Sequence, residues 1–319
     1  MPNRKKMTLT RDRNGELSVK LDSYTLRGKS IGGRETSFVI PELSVVFDMG
    51  YQPDKIETIQ NVFISHGHAD HIGCLHFVHV NKKLQHITSK WQLIMPQSYI
   101  PPFITMASAI SVNNRGGYPI GFTKCTFQGT NNIETSMDVL IPFKKISIDK
   151  LIPSEECKSL ELINKSNFLV TAYPMTHKIC SYGYIISEQR QKLKHIYKGL
   201  TGKELKDLKE ANIEIHDQIS IPIISFTGDT TINGVLANPE FMESNILIME
   251  CTHFHDSTIA DAETHGHIHF QQILDNIDKF HNKWIVLCHF SQKYRTIKDI
   301  EPYIKVLNPQ QRKKFIMWI

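Results

Sequence analysis

The stretch N-V-F-I-S-H-G-H-A-D-H-I-G, Asn61 to Gly73, decides how this chain is read. Val62, Phe63 and Ile64 form a short apolar run, and the chain then turns abruptly to His66, His68, Asp70 and His71 before a helix-compatible segment. That order predicts a buried strand running into a polar loop. Three imidazoles and a carboxylate within six residues do not serve as core filling, because each brings a nitrogen or a charge that must be paired or coordinated once buried. Metal coordination satisfies them all. His66 and His68 can project from one side of an extended turn while Asp70 and His71 face a second ion, so one loop can serve two metals roughly 3.5–4 Å apart.

Working outward, the same pattern recurs. Apolar runs ending near Asp48, His66, His177, Asp229, Glu250 and His289 each deliver a metal-type or acid/base residue at or just past the end of the run. A sheet that gathers such groups at one edge makes a cleft there, as open α/β sheets do. Asp48 is expected beneath the metal loop as an acceptor for a ligand imidazole. Asp229 follows Gly228 in T-G-D-T and can bridge two cations with one carboxylate. His76, His79, His253, His255 and His265 fall outside the pattern and are read as rim, surface or core residues.

Strands are expected over Leu17–Leu26, Ser37–Ile40, Leu43–Phe47, Ser89–Pro96, Ile146–Ile148, Asn167–Ala172, Cys180–Ser187, Ile223–Phe226, Asn245–Met249 and Trp284–Cys288. Helices are expected over Ile72–Val80, from Gln97 onward, and between Ile297 and a short final strand F-I-M-W-I. Ser111 to Gly129 reads as an irregular loop.

The chain has 319 residues, 40% hydrophobic, with a formal net charge of +5, which fits a globular fold with a sizeable core. No apolar run reaches the roughly 18 residues of a membrane span, and no secretory leader is visible, so the expectation is a cytoplasmic protein, with the nucleus as the alternative. The six cysteines contain no C-x-x-C pair and are read as reduced thiols, mostly core. From Gln189 to Lys203 the basic residues Arg190, Lys192, Lys194, Lys198 and Lys203 occur without an acidic neighbour, with Tyr197 interleaved. Residues 189–220 are therefore read as an insertion carrying a basic run, in an otherwise single domain spanning 1–319.

The motifs F-D-M-G (Phe47–Gly50), S-H-G-H-A-D-H-I-G (Ser65–Gly73), His177 with G-Y (Gly183, Tyr184), F-T-G-D-T (Phe226–Thr230), M-E-C-T (Met249–Thr252), G-H-I-H (Gly266–His269) and H-F-S-Q-K-Y (His289–Tyr294) resemble those of the tRNase Z family, short form, within the metallo-β-lactamase superfamily. Lys192 to Gly202 resembles its plant-type tRNA-clamping arm. The resemblance implies an α/β metallo-β-lactamase-type αββα sandwich and an endoribonuclease that cuts the 3′ trailer from precursor tRNA, leaving a 3′ hydroxyl on the tRNA. It implies two Zn2+ per chain, with Mn2+ or another divalent metal as the alternative. His66, His68 and His177 would hold one zinc, Asp70, His71 and His289 the other, with Asp229 bridging and Asp70 orienting the attacking water. Glu250 and His267 would pass a proton to the expelled ribose oxygen, and the arm residues Arg190, Lys192, Lys194, Tyr197, Lys198 and Lys203 would bind RNA in a homodimer. Two departures stand out: Met249 replaces the family's histidine in H-E-A-T, and His269 replaces the threonine of G-H-S-T. The rival readings are another hydrolase of the superfamily, acting on a small phosphodiester or thioester, and a non-catalytic RNA-binding homologue.

Overall fold

Alternation along short apolar strands sorts this chain into layers. In the computed structural model, which describes residues 8–113, 150–254 and 257–319, the described strands form two sheets. The first holds, in spatial and sequence order, β1 (Thr10–Arg11), β2 (Leu17–Leu21), β3 (Tyr24–Ile31), β4 (Glu35–Ile40), β5 (Val45–Phe47), β6 (Asn61–Phe63), β7 (Gln92–Met95) and β8 (Lys150–Pro153). The second holds β9 (Leu160–Leu162), β10 (Lys165–Met175), β11 (Ser181–Leu193), β12 (His216–Phe226), β13 (Ile246–Glu250), β14 (Trp284–Cys288) and β15 (Phe315–Met317). Each sheet begins antiparallel and ends parallel, the change falling at β5 and at β12.

Phe38, Phe47, Phe63 and Ile94 turn inward to meet Tyr184, Phe226, Ile248, Val286 and Trp318 of the other sheet. The Phe47 and Phe226 rings stack at 5.0 Å across that interface. Their immediate neighbours Val39, Val46, Val62 and Leu93 turn outward, under Leu75, Val78, Ile100 and Phe103 of the covering helices. On the opposite flank Leu247, Met249, Ile285 and Leu287 pack against Phe241, Phe270, Ile273 and Ile300. Two sheets face to face with helices outside make the αββα sandwich.

Several local expectations differ in detail. Leu17–Leu26 is a hairpin, β2 and β3, because Asp22 takes a left-handed conformation (φ 52°) and turns the chain. The helix expected over Ile72–Val80 is broken into Ala69–Ile72 and His76–Leu84. Ser111 to Asn113 close the helix Ile100–Asn113, while the rest of the expected loop and the strand Ile146–Ile148 lie outside the described residues. Gln189 to Leu193 are part of β11, paired with β12 up to Leu193 opposite His216, so the basic run begins on the end of a two-stranded ribbon. Cys157, Cys251 and Cys288 are buried, Cys74 is partly so and Cys180 is exposed. No helix among the described residues is long and apolar enough to cross a membrane.

Candidate metal centre

The parallel halves of both sheets end at the same place. β5 ends before Asp48, β6 runs to Ser65 and His66, β12 leads to Asp229, β13 ends in Glu250 and β14 is followed by His289. His177 lies between β10 and β11, beside the end of β12. Gly50 lets the next segment close on this edge: a Cβ there would stand 1.7 Å from the Asp70 carbonyl oxygen.

Two sets of ligand-type atoms converge. His66 Nε2 lies 3.0 Å from His68 Nδ1, which lies 3.5 Å from His177 Nε2. His71 Nε2 lies 3.2 Å from His289 Nε2, and Asp70 Oδ2 is 3.4 and 3.3 Å from these two nitrogens. Asp229 Oδ2 joins the sets, 3.6 Å from His66 Nε2 and 3.4 Å from both His71 and His289 Nε2. Ligands about 2.1 Å from one tetrahedral ion stand roughly 3.4 Å apart, so the spacing matches the edges of coordination polyhedra.

The backs of the imidazoles are held by two buried carboxylates. Asp48 Oδ2 meets His71 Nδ1 at 2.7 Å and accepts from Ser65 Oγ at 2.7 Å, and Ser65 Oγ lies 3.0 Å from His66 Nδ1. With both ring Nδ1 atoms donating, the Nε2 lone pairs face the cluster. Glu250 repeats the device: Oε1 meets His267 Nδ1 at 2.9 Å, Oε2 accepts from Thr252 Oγ1 at 2.7 Å, and Thr252 Oγ1 lies 2.9 Å from His289 Nδ1. His177 Nδ1 donates to the Gly266 carbonyl at 2.8 Å. Such partners fix tautomer and ring orientation. Ser65 and Thr252 lie within the motifs quoted above, but their sequence position alone assigns neither hydroxyl a role.

The electrostatics fit a cation. Burial opposes charge on Asp229, but His289, His71 and His66 outweigh it and hold the carboxyl well below its ordinary range. Burial also opposes charge on His71, yet Asp229 and Asp48 pull it well above the usual imidazole value. The buried carboxylates need positive charge between them, which a divalent ion supplies. Asp229 Oδ1 is buried with no hydrogen-bond partner among the described residues, a free lone pair at the centre of the donor set. Burial and the neighbouring His71 push His66 well below its usual value, the neutral state a ligand requires.

His267 stands at the margin, following the helix Ile259–His265 rather than a loop. It also groups with Asp229 and His289 as a third potential ligand set. Its Nδ1 is committed to Glu250, however, and the other two belong to the seven-residue cluster. Burial works against its charge, but Glu250 prevails and raises it to about 9. Met249 packs in the apolar layer, and His269 caps the helix Phe270–Asp275, its Nδ1 accepting from the Gln271 N–H at 3.1 Å. His253 is half-buried beside Ser257, His265 is exposed, and His255 lies outside the described residues. The basic residues Arg190, Lys192, Lys198 and Lys203 are exposed on the ribbon and its tip, with Lys194 and Tyr197 half-buried. The structure does not bring them to the metal edge.

No family model matches the chain. The chain is 32% identical over 295 residues to tRNase Z TRZ1 of Arabidopsis thaliana, covering 92% of this chain and 94% of that protein. The chain belongs to the tRNase Z family. It is also 30% identical over 292 residues to the chloroplastic tRNase Z TRZ2 of the same plant, covering 90% of this chain and 73% of that one. Among solved structures, the metallo-β-lactamase fold protein YhfI of Bacillus subtilis superposes with a TM-score of 0.50 at 12% identity, with 90% of each chain covered, a likeness of fold alone. Membership in the tRNase Z family implies use of divalent metal, and the donor set described above suits it.

Proposed function

We propose that this chain is a metal-dependent endoribonuclease that removes the 3′ trailer from precursor tRNA. The observation that carries the reading is the seven-residue donor cluster with the Glu250–His267 pair at its margin, in a chain of the tRNase Z family. His66, His68 and His177 would hold one ion and Asp70, His71 and His289 a second, with Asp229 between them; zinc suits this mixture of imidazole and carboxylate. Bound there, the ions would lower the pKa of the attacking water and neutralise charge on the phosphoryl oxygens.

The remaining chemistry belongs to the chain. The P–O3′ bond breaks, the phosphate stays on the trailer, and the tRNA ribose oxygen leaves. His267, charged at neutral pH, donates its Nε2 proton to that oxygen, while Glu250 fixes the ring through Nδ1. Asp70 Oδ2 accepts from the Gly33 N–H at 2.8 Å, and bonds to His289 and His71 overcome burial to keep the carboxylate ionised, which suits it to orient the water.

The ribbon grips the tRNA body through Arg190, Lys192, Lys194, Tyr197, Lys198 and Lys203. From Tyr184 to Leu193 it runs roughly 30 Å away from the metal edge, so the arm serves the site of a second copy in a homodimer. The single-domain reading of 1–319, with the ribbon as its appendage, is part of the same proposal, as is action in the cytoplasm or nucleus.

The test is a pre-tRNA labelled at both ends, incubated with zinc-loaded protein and its products mapped. Cleavage at the trailer junction, giving a 3′ hydroxyl on the tRNA and a 5′ phosphate on the trailer, is the expected result. Turnover of small phosphodiesters or thioesters with intact pre-tRNA would transfer the site to a different hydrolase, and binding without any cleavage would favour the scaffold reading.

A further inference from the structure

Beyond His289 a cavity of about 510 Å3 opens beside the metal cluster, a volume in the ordinary range of ligand clefts. Ser30, Ile31 and Arg34 are in one wall, and Phe290, Gln292 and Arg295 in another. The turn Gly32–Gly33 joins the lining residues Ile31 and Arg34 and ties this wall to the cluster. The Gly33 N–H donates to Asp70 Oδ2 at 2.8 Å, the Gly32 N–H donates to the Phe290 carbonyl at 2.9 Å, and a Cβ on Gly32 would stand 3.3 Å from the His289 imidazole.

The cavity is basic. Arg11, Lys29, Arg34 and Arg295 line it against one side-chain carboxylate, Glu35. Glu35 reaches Lys29 Nζ only at 3.9 Å and Arg34 Nε at 3.7 Å. Arg11 and Arg295 make no ion pair among the described residues. Trp318, which also lines the cavity, is 1% exposed, and its indole N–H has no acceptor among the described residues. The aromatic side chains of the lining are buried, so what the cavity presents is its cations, and these suit the phosphates of a single-stranded polynucleotide, which pair with arginine.

We propose that this cavity receives the trailer strand of the precursor, held through its phosphates by Arg34 and Arg295. The inference rests on the pre-tRNA reading. In that reaction the ribose oxygen leaves toward His267, on the side built by Glu250, His177 and Gly266. The turn that leads into the cavity wall is tied to Asp70 and packs on His289 instead. The strand that keeps the phosphate therefore continues toward the basic cavity.

The test compares wild type with an Arg34→Ala/Arg295→Ala double variant, both arginines being exposed, on pre-tRNAs bearing a long or a single-nucleotide trailer. The ratio of kcat/KM, long over short, should fall about tenfold, and the salt slope for the long substrate should flatten by roughly 1.4 when two single-strand phosphates are no longer neutralised. An unchanged ratio, or equal loss on both substrates, would overturn the proposal. A 5′-phosphorylated trailer oligonucleotide followed by fluorescence anisotropy reads the cavity without cleavage. About tenfold weaker binding in the double variant supports the site and equal affinity sinks it. Failure of wild type to cut any pre-tRNA would count against the parent reading alone, because the anisotropy comparison still decides the cavity.

Discussion

At the scale of single residues, two buried carboxylates organise this site. Asp48 holds His71 directly and His66 through Ser65, and Glu250 holds His267 directly and His289 through Thr252. Thr252→Val keeps shape but removes the hydroxyl between His289 and Glu250, so metal affinity should drop roughly 10- to 100-fold, the usual cost of losing such a partner. Titration with zinc against a competing chelator measures it, and an unchanged affinity would remove Thr252 from the account. His267 supplies a pH prediction. Its pKa is raised to about 9, so its ion pair with Glu250 contributes stability fully present below the unfolded value near 6.5 and lost as pH rises through about 9. An acid in that state makes turnover fall on the alkaline side. Glu250→Gln preserves an acceptor but removes the charge, so the alkaline limb should move to lower pH. A limb at the same pH in both proteins would mean that another group sets it.

At the scale of elements, the ribbon of β11 and β12 is a long pair whose outer half has little core to bury. Its tip is stiffened locally: Thr201 and Glu204 form a capping box that starts the helix Gly202–Glu210. Ile196 is 75% exposed there, unusual for a large apolar side chain and fitting for a surface that meets a partner. Replacing Lys192, Lys194 and Lys198 together with alanine should raise KM for pre-tRNA and reduce its salt slope by about 0.7–0.9 for each phosphate left without its lysine. Hydrolysis of a small chromogenic phosphodiester reports whether the metal edge is intact in the same variant. Parallel loss on both substrates would make the ribbon a support of the fold instead.

At the scale of the whole molecule, the cluster joins the two sheets. His66, His68, Asp70 and His71 come from the first, and His177, Asp229 and His289 from the second. Metal bound there stabilises the folded state with the logarithm of free metal over Kd, about 2.7 kcal/mol at a hundredfold excess. Chelation should therefore lower Tm by on the order of 5 °C. Asp229→Ala, which removes a carboxylate reaching both sets, should show little further loss on chelation. A chelated wild type melting at the same temperature as the loaded protein would contradict a centre that ties the sheets. Metal analysis of replete protein should approach two ions per chain, and saturation at one with full activity would rule out the dinuclear site.

Local order alone made much of this legible. The run from Asn61 to Gly73 names its own chemistry, because imidazoles directly after a buried strand have few other uses, and the recurrence of such endings at Asp229, Glu250 and His289 marks one sheet edge. The αββα layering follows from alternation in strands as short as Val45–Phe47, where adjacent residues must face opposite layers. The sequence could not reveal which hydroxyls complete the site, since Ser65 and Thr252 acquire their roles only when Asp48 meets His71 and when Glu250 meets His267 across chain separations of 23 and 17 residues. Nor could it set the extent of the ribbon, because pairing of Leu193 with His216 depends on a register established in the sheet below it. The basic cavity is the extreme case: Arg11, Arg34, Arg295 and Trp318 have no pattern in common along the chain, and only the packing of the two sheets makes them neighbours.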